Sequence, residues 1–185
     1  GVAYIYCGGK TTRIMDERFV KIGTGSLGLV PVPVIYMLVM IVIFSILLNK
    51  TKFGTYIYAI GGNREAARLS GVPIKLTEIA VFTIAGFMAS FAGIVLAARM
   101  YSGQPSVGDG HELNAIAACV LGGISMSGGV GRIGGTVMGV LVMGVINNGL
   151  NLLNVSTYWQ YVAKGAIILI AVMVDWMKQR SKVKV

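Results

Sequence analysis

Few residues in this 185-residue sequence have the types needed for covalent, phosphate or metal chemistry, and their spacing argues against each. Cys7–Thr12 reads CGGKTT, which ends like a phosphate loop. The full pattern needs a glycine where the chain has Tyr4, and a strand in front of it, whereas the preceding residues are an apolar, helix-like run. Asp109, His111 and Glu112 lie close together but match no metal-ligand spacing, in a glycine-rich, wet loop. Cys7 and Cys119 make neither a disulfide framework nor a zinc pattern. No nucleophile–base pair stands out, so no catalytic residue is assigned. The polar groups that remain are amides. Asn147, Asn151 and Asn154 recur at i, i+4 and i+7, one face of a helix, with Asn148 beside them and Tyr158, Trp159 and Gln160 following. Such a face can meet the hydroxyls of a neutral solute, or it can be hydrogen-bond glue between helices beside an aromatic interface belt.

The elements that must position these residues belong to a membrane. Hydrophobic residues make up 55% of the chain and charged ones 12%, about half the usual charged share, with a mean hydropathy of +0.76. That deficit excludes an isolated soluble enzyme, a disordered tail and a nucleic-acid-binding module. Sixteen Lys and Arg against seven Asp and Glu give +9, a basic excess that in so apolar a chain orients loops against a bilayer. The first residue is Gly1, no cleavable signal is recognisable, and Gly1–Cys7 reads like the end of a helix already under way. An N-terminally truncated chain with spans missing upstream is expected.

Charges punctuate the spans. Val30–Leu48 is uncharged for 19 residues, enough for a slab of about 30 Å, with Pro31 and Pro33 at its start, where a helix tolerates them. Glu78 and Arg99 bracket 79–98. The third stretch, 113–131, begins as a helix over Leu113–Ile124, only about 18 Å long, and runs into SMSGGVGRIGG. Ten of the 26 glycines fall in Gly122–Gly149, which leaves two readings open: a broken or re-entrant segment, or a cytoplasmic turn between ordinary spans. Spans are expected over 133–153 and 158–177. Gly131, Gly135 and Gly139 form a ladder for close helix packing, and Lys164 and Asp175 are read as snorkelling to the nearer headgroups. A cytoplasmic connector after the first span puts ten basic residues inside against six outside, with the C-terminus inside.

Between the first two spans lies the coupling segment, 49–78. Asn63 is a good N-cap, Arg64–Ser70 can form two turns, and Gly71 and Pro73 stop them. So short a helix needs a surface to pack on, and Ala66 and Ala67 offer a flat side. GGNREAARLSGV resembles the cytoplasmic coupling segment of permease subunits in ATP-binding-cassette importers, with Glu65, Ala66, Ala67 and Gly71 in the motif's spacing and its Leu-Pro ending absent. With FGTYIYAIGGNREAARLSGV, ELNAIAACVLGGISMSGGVGRIGGT and GVINNGLNLLNVSTYWQYVAKGAIILIAV, the chain resembles the ribose and simple-sugar permease family over about Pro31 to Asp175.

The resemblance implies an all-α, polytopic helical bundle in the bacterial inner membrane, about five spans plus a short cytoplasmic coupling helix, as one permease domain over 1–185. It implies a non-enzymatic subunit that binds no cofactor, with ATP and Mg on a separate ATPase subunit. The other partners would be a second permease subunit in a homodimer, a periplasmic sugar-binding protein and membrane lipid, with no nucleic acid. Asn63, Arg64, Glu65, Ala66, Ala67 and Gly71 would couple ATPase movement to the spans, while Asn147, Asn148 and Asn151 would line the sugar path. A nucleoside, a furanone signal or a branched-chain amino acid is the alternative substrate. An ATP-independent secondary transporter is the rival mechanism.

Overall fold

A computed structural model describes residues 2–183; the side chains at 171, 174–176 and 178–183 lie outside the described set, Asp175 among them. In chain order the elements are α1 (Val2–Cys7), β1 (Thr12–Arg13), α2 (Glu17–Thr24), β2 (Ser26–Leu27), β3 (Val30–Pro31), α3 (Val32–Lys50), α4 (Lys52–Gly62), α5 (Arg64–Leu69), α6 (Ile74–Met100), β4 (Ser102–Gly103), α7 (His111–Leu121), α8 (Ile133–Leu152) and α9 (Thr157–Val183). The fold is a polytopic helical membrane bundle. Among the described residues α3, α6 and α8 are long and apolar enough to cross a bilayer. The chain divides into two compact units.

The first unit comprises 1–53 and 73–109. The Asp16 side chain caps α2 by accepting from the amides of Arg18 (2.8 Å) and Phe19 (3.3 Å). Gly23 lets α2 lie directly on α6, since a Cβ there would stand 2.5 Å from the Arg99 nitrogen and 2.7 Å from the Val95 oxygen. β1 pairs antiparallel with β4, Thr12 opposite Gly103, and β2 with β3 around Gly28 at φ +65°. Pro31 is the N-cap of α3 and Pro33 lies in its first turn, where the missing amide protons have no intrahelical partner anyway. The Tyr36 ring of α3 meets Phe91 of α6 edge to face, centroids 5.4 Å apart. No residue of α3 is buried within the chain. That is the signature of a helix apolar all round whose cover is lipid or other protein.

The second unit comprises 54–72 and 110–185. Helix α7 is 11 residues, about 16 Å, and the rest of the 113–131 stretch is turns, so no continuous span runs through it. Helix α7 ends where Gly123 turns left-handed (φ +82°), its amide donating to Val120 and that of Ile124 to Cys119. Helices α7 and α8 pack at backbone distance. A Cβ on Gly135 would strike the Gly122 carbonyl, and one on Gly139 the Ala118 carbonyl. Gly131 differs from those two rungs. Arg132 has extended backbone (φ −145°, ψ 140°), so Gly131 sits in the loop ahead of α8, against the Ile124 side chain. Ala117, Ala118 and Met143 are buried together, with Ile146, Ile167 and Ile168 packed on them. Small residues on α7 let α8 and α9 converge there.

Candidate functional site

Between α3 and α6 in the sequence lie two helices. The sequence reading placed a short helix from Arg64 but left 52–62 as connector, and α4 occupies it. The Asn63 Oδ1 accepts from the Ala66 amide at 3.0 Å and starts α5. Gly71, at φ +80°, ends it: the Gly71 amide donates to Arg68 and that of Val72 to Ala67. Glu65 and Arg68 pair at 3.0 Å on the exposed surface. Ala66 is exposed, but Ala67 is buried, so the two alanines do not form one free flat side. The open face of α5 is instead Glu65, Ala66, Arg68 and Leu69, the last 84% exposed.

Directly ahead of α5, the end of α4 is seated on the glycine-rich loop that joins α7 to α8. The Tyr58 hydroxyl donates to the Gly131 carbonyl at 2.9 Å. A Cβ on Gly61 would strike the Gly129 amide nitrogen, and one on Gly129 would lie 2.9 Å from the Gly62 Cα. Gly128 and Gly129 are themselves left-handed, at φ +89° and +73°. Only glycine fits both the turn and the approach. Sequence reasoning counted these glycines without finding their partner, because Gly61 and Gly129 are 68 residues apart.

The asparagine face is divided by the structure. Asn147 lies on α8 with its Oδ1 buried and unpartnered. Asn148 is exposed. The Asn151 Oδ1 accepts from the Gln160 Nε2 at 3.0 Å, and the same nitrogen donates to the Val155 carbonyl. Asn154 has left the face altogether. Helix α8 ends at Leu152, and Asn154 is its left-handed stop (φ 51°), donating to Asn151 while Val155 donates to Leu150. Tyr158 and Trp159 are exposed. Lys164 is 9% exposed, with its amine 5.6 Å from the centre of the Tyr161 ring. Among the described residues no three His, Cys, Asp or Glu converge as metal ligands. The residues Cys7–Thr12 leave a helix, not a strand, and the amides of Gly8, Gly9 and Lys10 donate to that helix's own carbonyls.

The segment between α3 and α6 thus carries a short capped helix that follows a joint of glycines. Residues 4–172 match the family described as branched-chain amino acid transport system / permease component. The chain belongs to this family. Among its curated relatives, the L-arabinose transport system permease protein of Escherichia coli is 48% identical over 98% of this chain. The ribose import permease protein of Bacillus subtilis is 49% identical over 96% of it, and the xylose transport system permease protein of E. coli 48% over 83%. The alignments cover 56%, 56% and 38% of those proteins, so the chain spans about half the length of the first two. No solved structure matches it. With three helices long and apolar enough to cross a bilayer among its described residues, the chain is that of a multi-pass membrane protein.

Proposed function

We propose that the protein is the transmembrane permease subunit of an ATP-binding-cassette importer that moves ribose or a related simple sugar into the cytoplasm. The observation that carries this reading is near 48% identity to permeases for arabinose, ribose and xylose, three neutral pentoses. In this reading the chain lies in the bacterial inner membrane with its C-terminus cytoplasmic. ATP and Mg are held by a separate ATPase subunit, two permease subunits of the same kind form the path, and a periplasmic binding protein delivers the sugar.

Asn63, Arg64, Glu65, Ala66, Ala67 and Gly71 form the coupling element, with the open face of α5 as the surface the ATPase meets. Closure of the ATPase pair would move that helix as a rigid body and switch the access of the path. Asn147, Asn148 and Asn151 belong to the path side of α8. Binding-protein docking has a candidate surface in the first unit, a cavity of about 770 Å³ lined by Arg13, Glu17, Lys21, Tyr101 and Ser102 among others. Its charges of both signs suit a protein partner.

The test is purification of the full-length protein in mild detergent with mass spectrometry of what accompanies it, beside the Glu65→Lys and Gly71→Pro variants. An accompanying ATPase, reduced in both variants, is the expected result. Absence of any ATPase from the intact wild-type protein would overturn the mechanism in favour of an ATP-independent transporter. The family description names branched-chain amino acids, so leucine uptake is run beside pentose uptake, and leucine alone being carried would overturn the substrate class.

A further inference from the structure

The second unit contains a polar layer that its apolar packing does not explain. Ala117 and Ala118 on α7, Met143 on α8, and Ile167 and Ile168 on α9 form its core. One helical turn from these, on the same stripes, stand Asn114, Asn147 and Lys164. Asn114 is i−3 and i−4 from Ala117 and Ala118, Asn147 is i+4 from Met143, and Lys164 is i−3 and i−4 from Ile167 and Ile168. The three turns point to the same end of the unit. Helix α8 runs against α7, since Gly135 meets Gly122 and Gly139 meets Ala118. Helix α9 runs with α7, since Tyr161 packs on Gly110 while Ile167 and Ile168 reach the Ala117–Ala118 level. The Tyr161–Gly110 contact and the Asn151–Gln160 hydrogen bond lie at that same end.

The hydrogen bonding of this layer is unspent. The Oδ1 atoms of both Asn114 and Asn147 are buried without a partner. The Lys164 side chain is more than nine-tenths buried, its amine lies 5.6 Å from the centre of the Tyr161 ring, and no ion pair to it is found among the described residues. Buried acceptors are costly when idle, and so is a largely buried lysine without a polar partner. Apolar residues at these three places would have made a better helix contact. Two acceptors, one multiple donor and an aromatic wall are the complement of a small ring bearing several hydroxyls and C–H faces.

We propose that Asn114, Asn147 and Lys164 form a binding station for a neutral polyhydroxyl solute of pentose size, with the Tyr161 ring as its apolar wall. The station deepens the sugar-permease reading and rests on it. Asn114 and Asn147 accept hydroxyl protons, Lys164 donates to hydroxyl oxygens, and Tyr161 covers a C–H face. Of these, only Asn147 was singled out from the sequence as part of a path.

The experiment uses the full-length permease with its ATPase and binding protein in proteoliposomes, and compares Asn114→Leu, Asn147→Leu and Lys164→Met with wild type. ATP hydrolysis stimulated by the loaded binding protein and inward flux are measured separately for ribose and for 2-deoxyribose. Each variant is expected to keep stimulated hydrolysis within about twofold and to lose ribose flux about tenfold or more. The preference for ribose over 2-deoxyribose is expected to narrow in at least one asparagine variant. The same binding protein serves every arm, so any change in preference belongs to the permease. Ribose flux within twofold of wild type in all three variants would overturn the station. So would loss of stimulated hydrolysis or of assembly together with flux, which would make the layer interhelical glue. A wild-type complex that neither hydrolyses ATP nor imports a pentose would instead strike the sugar-permease reading itself, and the station with it.

Discussion

Gly139 and Gly144 lie five residues apart on one helix and have opposite roles. A Cβ on Gly139 would meet the Ala118 carbonyl, whereas Gly144 faces open space. Gly139→Ala is expected to destabilise the α7–α8 pair by about 1–3 kcal/mol, because backbone must move. Gly144→Ala is expected to be neutral or to stabilise by up to about 1 kcal/mol through helix propensity. Thermal unfolding of the two purified variants in one detergent reads the difference. Tyr58→Phe removes the hydroxyl that donates to the Gly131 carbonyl, a loss of about 1 kcal/mol. Faster amide exchange in 125–131, with exchange in α6 unchanged, is the expected result. At this scale the sequence was partly legible. Asn63 and Gly71 announce a cap and a stop by type and spacing alone. The burial of Lys164 was not legible, because it depends on which neighbours cover that face. Asn154 misled because a left-handed asparagine and a helical one have the same spacing until the helix end is known.

Among the elements, α3 and α6 were readable because their boundaries are charges and prolines, and a bilayer demands long uninterrupted apolar runs. Helix α4 was not readable. KFGTYIYAIGG has glycines at both ends and no apolar stripe long enough to announce itself, and what holds it is a contact with a loop distant in sequence. The 113–131 stretch showed a helix start but not its fate, which depends on Gly123 taking a left-handed turn. Helix α5 is the element on which stability and the proposed coupling would meet. It has only six residues, so its cap is a large share of what holds it. Asn63→Ala is expected to cost about 1 kcal/mol, and Asn63→Asp, which keeps an acceptor at that place, is expected to retain most of the wild-type behaviour. Quantifying the ATPase that accompanies each purified variant checks this, with alanine lowest.

The whole molecule turns apolar surface outward. Val39, Val42, Ile43 and Ile46 of α3 are each about half exposed, and no large side chain among the described residues is fully enclosed. A chain so built relies on lipid or protein cover, and its orientation in the bilayer follows from its basic loops. With Cys7 and Cys119 first changed to serine, a Ser70→Cys probe is expected to react with an impermeant maleimide only in inside-out vesicles. A Ser106→Cys probe is expected to react only in right-side-out ones. The reverse pattern would invert the topology.

One contact bears on how force passes through such a molecule. Where Gly61 meets Gly129, main chain touches main chain with no side chain between. Side chains act as shock absorbers, because a rotamer change can absorb an ångström of travel. A joint without them has no slack. If α5 moves as proposed and carries the end of α4 with it, the loop ahead of α8 would receive that displacement undamped, and added bulk at Gly61 is expected to weaken this transmission before it unfolds the protein.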